Sequence, residues 1–126
     1  RFYIINGTFT WQAAKVDAES KGGHLATFTT EAEWQEMRMT LGYGWEDSHW
    51  LGGYQDPNAP DYSIPDGGWR WVTGETWNYT RWASGEPNGW YNEPQYLGIE
   101  WGDPKDMWND APQSDPRGYI LEYDNK

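Results

Sequence analysis

Two short strings near the end of the chain carry oxygen in a form that suits hard cations: Glu86-Pro87-Asn88 and Trp108-Asn109-Asp110, with Glu93 between them. Glu86, Asn88, Glu93, Asn109 and Asp110 together offer three carboxylates and two amide carbonyls. That donor set fits Ca²⁺, which takes about 6–8 oxygen ligands. Other divalent metals more often recruit His or Cys, and this chain has no Cys and two His far apart in sequence. A loop meeting a strand end could point all five side chains at one ion, leaving it in an open cup.

Catalysis is poorly served by comparison. His24 sits in Gly-Gly-His-Leu, and neither His lies near a Ser or Asp in a pattern that suggests a triad. Glu31 and Glu33 could imitate a pair of glycosidase carboxylates. They fall at the start of an expected helix, where acidic groups complement the helix dipole. The residues therefore read as a binding module and not an enzyme.

Composition narrows the partners. The net charge is −11 and the pI is about 4.4. Phosphate backbones need Lys and Arg, so nucleic acid is excluded, and anionic membrane surfaces are disfavoured for the same reason. No apolar run approaches the roughly 20 residues of a membrane span, so membrane insertion is not expected. Mean hydropathy is −1.02, yet the chain has 11 Trp and 9 Tyr. Each buried ring removes roughly 150–250 Å² from water, so an aromatic core can replace many aliphatic residues. The length of 126 residues fits one domain spanning 1–126. The chain opens at Arg1 without Met or a leader, which reads as a fragment of a larger protein.

The pattern predicts two helices first. Thr10 can cap a segment from Trp11 to Lys21, with Trp11, Ala14, Ala18 and Lys21 along one stripe and Gly22-Gly23 ending it. Thr30 and Glu33 form a capping box for a second helix over 31–41, burying Trp34, Met37 and Leu41. Leu25 to Phe28 reads as a connector. After Gly44 short strands are expected at 50–53, 69–72, 96–101, 107–109 and 118–123, separated by long loops at 54–68 and 83–95. Trp11, Trp34, Trp50, Trp71, Trp82, Trp101 and Trp108 are expected in the core. Helices followed by short strands give an α+β class with an antiparallel sheet.

The order of these strings resembles the C-type lectin-like domain almost end to end. The resemblance rests on Trp11 and its Ala-rich helix, Gly22-Gly23-His24-Leu25-Ala26, Trp50-Leu51-Gly52, Glu86-Pro87-Asn88, Trp108-Asn109-Asp110 and Tyr119-Ile120-Leu121-Glu122. It implies two helices flanking small antiparallel sheets, with a long loop region that carries calcium. It also implies that Glu86, Asn88, Glu93, Asn109 and Asp110 ligate Ca²⁺, and that the Glu-Pro-Asn form prefers mannose-, glucose- or fucose-like sugars. The resemblance adds the Asp110 backbone carbonyl, and six protein oxygens leave an eight-coordinate ion two places short. Two neighbouring sugar hydroxyls can fill them, each also donating to a carboxylate and accepting from an amide. Pro87 is expected to be cis. Trp90 and Tyr91 offer either a stacking platform for the sugar or packing that stiffens the loop.

Several positions depart from the family's usual pattern. Ala18 and Leu121, and the region of Gln95 or Tyr96, stand where members usually have Cys, so apolar packing is expected in place of a disulfide. Gly89 stands where some calcium-rich members place Asp, although Asp56 and Asp61 could serve a second ion. Pro94 follows Glu93 where Asp is common. The expectation is a calcium-dependent carbohydrate-recognition domain of an extracellular or cell-surface adhesin. Its partner would be a cell-surface glycan or polysaccharide. A protein- or ice-binding module on the same fold is the alternative.

Overall fold

Phe2 to Phe9 begin the chain as a strand, β1, where the sequence pattern starts with a helix. The computed structural model describes residues 1–42, 48–90, 92–101 and 106–124, with Glu100 and Trp101 described by backbone alone. Asn6-Gly7 within β1 has the look of a turn. The sheet absorbs it instead, as a shift of register between Ile5 and Phe9 in the antiparallel pairing with β7 (Arg117–Glu122).

Helix α1 (Trp11–Ser20) starts where Thr10 Oγ1 accepts from the Ala13 N–H at 3.1 Å. It ends with Gly22 at φ 86°, the Gly22 N–H on Glu19 O and the Gly23 N–H on Ala18 O. That is the double bond pattern of a Schellman cap, so Lys21 is exposed beyond the helix rather than on its buried stripe. Helix α2 (Glu31–Leu41) has the expected bounds. Thr30 Oγ1 accepts from Glu33 N–H, but the Glu33 carboxylate reaches back to Thr29 N and Oγ1 (2.8 and 2.7 Å) rather than to Thr30. Its buried face includes Arg38 beside Trp34 and Met37.

The remaining strands are β2 (His24–Leu25), β3 (His49–Gln55), β4 (Trp69–Trp71), β5 (Tyr96–Trp101) and β6 (Met107–Ala111). They form one sheet in the order β1-β7-β3-β5-β6, with β2 on β7 and β4 on β3. Among the described strands, all pairings are antiparallel except β3 with β7. The purely antiparallel expectation is corrected there: the last strand returns to the middle of the sheet and meets β3 running in its own direction. The α+β class stands.

Each face of the sheet carries a core cluster. Phe28, Trp34, Met37, Leu97, Ile99, Trp108 and Ile120 pack on the α2 side. Trp11, Ala14, Ala18, Trp50, Tyr119 and Leu121 pack on the α1 side. Ala18 and Leu121 share that second cluster, so apolar packing stands where a disulfide would. Trp82 is half-buried against the first cluster, and the Trp101 side chain lies outside the described residues. Trp108 is central: Trp34, Trp71, Trp77, Tyr79 and Trp82 all have ring centroids within 6.0 Å of its own. This packing fixes β6, the edge strand that leads to Asn109 and Asp110.

Candidate functional site

The edge position of β6 leaves one side open to pairing, and the loop before the Glu-Pro-Asn string takes it. The Trp108 N–H donates to Arg81 O (2.9 Å), and the Ala83 N–H donates to Trp108 O (3.0 Å). Glu86, Pro87 and Asn88 are thereby carried alongside Asn109 and Asp110. The Asp110 carboxylate completes the join, with Oδ1 accepting from Asn88 N–H (3.0 Å) and Oδ2 from Gly89 N–H (2.8 Å).

Within the loop, Asn88 Nδ2 donates to Glu86 Oε2 (3.2 Å), and Asn88 Oδ1 accepts from Trp90 N–H (3.1 Å). The second bond is an Asx turn that reverses the chain. Gly89 has φ 60°, and a Cβ there would stand 2.6 Å from Ile64 Cγ2. The family's optional Asp at this position would therefore force Ile64 and Pro65 to move. The Glu86–Pro87 bond is cis, as expected.

Asn109 and Asp110 are both buried, at 8% and 6% exposure. Asn109 Nδ2 donates to Asp110 O (3.3 Å), while Asn109 Oδ1 is buried without a hydrogen-bond partner among the described residues. Buried polar atoms are normally satisfied, so this oxygen is a vacant acceptor. Glu93 is exposed, and its carboxylate makes no hydrogen bond or ion pair among the described residues. Its backbone carbonyl accepts from Gln95 Nε2 (2.8 Å). Burial and then the Glu93 charge raise the Tyr96 hydroxyl above its ordinary value. Three of the five expected oxygen donors, Glu86, Asn88 and Asp110, are thus joined by hydrogen bonds, with Asn109 next to Asp110 in β6 and Glu93 on the stretch between the two strings. Trp90 is 79% exposed beside them. Tyr91 lies outside the described residues.

Asp56 and Asp61 are engaged elsewhere. Asp61 Oδ1 pairs with Arg70 Nη2 at 2.6 Å, and Asp56 Oδ1 accepts from Asn58 N–H. A protein cation therefore already competes for Asp61 in the second-ion reading. The sequence reading also missed what holds the loops. Gln55 Nε2 donates to Ser63 O, Pro65 O and Gly67 O, and its Oε1 accepts from Gln95 N–H. One buried amide therefore ties the 63–67 loop to the start of β5. A Gln at a strand end facing a Pro- and Gly-rich loop was the available signal.

The oxygens fit a hard divalent cation by chemistry: carboxylates and amide carbonyls, one of them buried and without a partner among the described residues, with no nitrogen or sulfur ligand among them. A family model for the lectin C-type domain matches residues 8–122. Halomucin of Haloquadratum walsbyi is 29% identical over 146 aligned residues, which cover 97% of this chain and 1% of that protein's length. The carbohydrate-recognition domain of mouse scavenger receptor C-type lectin superposes with a TM-score of 0.78 at 22% identity, covering 99% of this chain and 90% of that one. A calcium-independent type II antifreeze protein superposes with a TM-score of 0.73 at 23% identity, covering 94% and 82%. The chain belongs to the C-type lectin domain family.

Proposed function

We propose that this domain binds carbohydrate through a calcium ion held by Glu86, Asn88, Asn109 and Asp110, with Glu93 contributing from the intervening stretch. The observation that carries this reading is the clasp of Asp110 on the Asn88 and Gly89 amides, which sets the Glu-Pro-Asn and Trp-Asn-Asp strings side by side. Ca²⁺ bound there would supply coordination places for two adjacent sugar hydroxyls. The chain's own residues do the rest. Glu86 accepts a hydroxyl proton and Asn88 donates an N–H, so one acceptor and one donor lie next to each other. The Asp110 clasp keeps that pair from separating. The order of acceptor and donor favours the hydroxyl arrangement of mannose-, glucose- or fucose-like sugars. Trp90, with most of its ring in solvent, is available to stack on the sugar's C–H face.

A small open site of this kind binds weakly, at about millimolar Kd or −4 kcal/mol. Several copies in one larger chain would raise the effective affinity. This suits an extracellular or cell-surface adhesin that binds without catalysis. The test is an NMR titration of ¹⁵N-labelled domain with methyl α-mannoside, in calcium and in excess chelator. The amides of Asn88, Gly89 and Asp110 should move in calcium alone; equal movement in chelator would falsify the bridging role.

Ice binding is the second reading, favoured by the likeness to an antifreeze protein. Inhibition of ice recrystallisation by the calcium-free domain, with no sugar response, would replace the lectin reading with it.

A further inference from the structure

A second cleft, of about 340 Å³, opens on the α1 side of the sheet. Its floor is aromatic. Trp11 is buried and fixed by its Nε1–H donating to Leu51 O at 2.9 Å. Tyr54 of β3 and Tyr96 of β5 are cross-strand partners, so their side chains share one face. Both rings rest against Trp11, with centroids 5.6 and 4.6 Å from it. Both tyrosines are half-buried, and neither hydroxyl has a hydrogen-bond partner among the described residues. The rim is polar, built by Gln12 and Lys15 of α1 and by Asp56, where the chain leaves β3. Lys15 also pairs with Glu19 at 2.9 Å.

This lining selects a class of ligand. The volume falls within the roughly 300–1,000 Å³ of small-molecule sites. Lys15 and Asp56 both line the cleft, so a strong anion meets the Asp56 charge and a strong cation the Lys15 charge. Neutral molecules avoid both penalties. The phenol hydroxyls and the Gln12 amide can each donate and accept, which suits a ligand rich in hydroxyls. The ring floor suits one that also has an apolar C–H face. A saccharide ring has both properties.

We propose that this cleft is a second saccharide subsite that needs no metal. It is separate from the Asp110 site. Asp110 pairs with Leu97 and Ala111 with Tyr96, and Leu97 and Tyr96 belong to the clusters on opposite faces of the sheet. Asp110 and Tyr96 therefore face opposite ways, none of Glu86, Asn88, Asn109 and Asp110 lines the cleft, and a long glycan could be gripped at two points or two glycans bridged. The subsite stands whether or not calcium fills the other.

The experiment is a ¹H–¹⁵N titration of the whole domain in excess chelator, using methyl α-mannoside, methyl β-glucoside and methyl β-galactoside as probes. At least one sugar should shift the amides of Gln12, Lys15 and Asp56 while those of Asn88, Gly89 and Asp110 stay still. Tyr54→Phe and Gln12→Ala, each with an unchanged melting temperature, should weaken that response about threefold, the effect of one lost hydrogen bond. The subsite is overturned if none of the three sugars moves those amides, or if the response is undiminished in both variants. Adding calcium then tests the Asp110 site separately, through its own amides.

Discussion

Asp106 and Asp110 stand at the two ends of β6 and keep opposite company. Asp106 is gripped by Trp34 Nε1 (2.9 Å), Arg38 Nε (2.8 Å) and Arg81 Nη2 (2.7 Å). Arg81 extends the knot to Glu31 (3.0 Å) and lies over the Trp34 ring at 5.0 Å. Burial, then Glu31, push the Tyr79 hydroxyl up to about 12, so it remains a donor in that knot at neutral pH. Asp110 meets two backbone N–H groups and no cationic side chain among the described residues. In a chain of net charge −11, the first carboxylate is neutralised from within, and its role is to pin α2 to the sheet. The second is held in place but left electrically unmatched, which is the state a cation site requires before its ion arrives.

The sharpest way to break the comparison is to remove the unmatched acid. Asp110→Ala should abolish sugar retention, about 4 kcal/mol for a millimolar site. It should also remove the calcium-induced rise in melting temperature, which for the parent corresponds to about 2.7 kcal/mol at calcium near 100 times its Kd. Calorimetric melts with and without calcium read both effects on one sample. A variant that kept its calcium response would show that Asp110 only shapes the loop.

Removing the matched acid should do the reverse. Asp106→Ala strips the counter-charge from Arg38, which is 2% exposed, and leaves the Trp34 Nε1–H without its acceptor. Loss of one partner of a buried pair costs about 3 kcal/mol, here moderated by the 25% exposure of Asp106. Urea unfolding should show that loss while the variant, below its transition, keeps its calcium response. If sugar affinity fell as far as stability did, the two ends of β6 would be one coupled unit rather than two.

The Arg38–Asp106 pair also shows why parts of the molecule escape a reading of the sequence. The partners are 68 residues apart, and a helix stripe drawn from apolar residues passes over an arginine. Strand β1 escapes because Asn6-Gly7 signals a turn that only the register with β7 overrides. By contrast α2 was legible to the residue, since Thr30 and Gly42 punctuate it locally. The candidate donors were legible from their chemistry, but not the contact that joins them. Nothing in the spacing of Asn88 and Asp110 states that a backbone amide will meet a carboxylate 22 residues away. The aromatic cleft was not legible at all, because Trp11, Tyr54 and Tyr96 converge from three separate elements.

The donor–acceptor order in the loop can be tested without removing charge from β6. Glu86→Gln with Asn88→Asp exchanges the acceptor and the donor that meet the sugar. Preference between methyl α-mannoside and methyl β-galactoside should move by about tenfold toward galactose, or 1.4 kcal/mol. Competition binding in calcium measures the ratio directly. An unchanged ratio in a variant that still binds calcium would transfer specificity from the hydroxyl pattern to Trp90 and its surroundings.

Between the matched and the unmatched acid lies a third case, in which the counter-charge is conditional. His24 Nδ1 lies 2.7 Å from Leu25 O, which can only accept, so Nδ1 carries a proton. His24 Nε2 lies 2.9 Å from Asp124 Oδ1, which also accepts. Only the imidazolium, with both nitrogens protonated, can make the two contacts as donor at once. Burial lowers its pKa, but the Asp124 and Leu25 bonds and the nearby Glu122 charge outweigh burial, and the net shift is upward from 6.5. The sign follows from linkage: a folded pKa above the unfolded one gives stability that is complete below about 6.5 and is lost as pH rises through the folded value. With Asp124 largely in solvent, the loss should be less than about 1 kcal/mol. Urea midpoints for the parent and His24→Gln, compared between about pH 6 and about pH 8, isolate this contribution from other titrations. The parent should lose more stability than the variant across that window, and parallel slopes would mean that the His24–Asp124 contact adds nothing to stability.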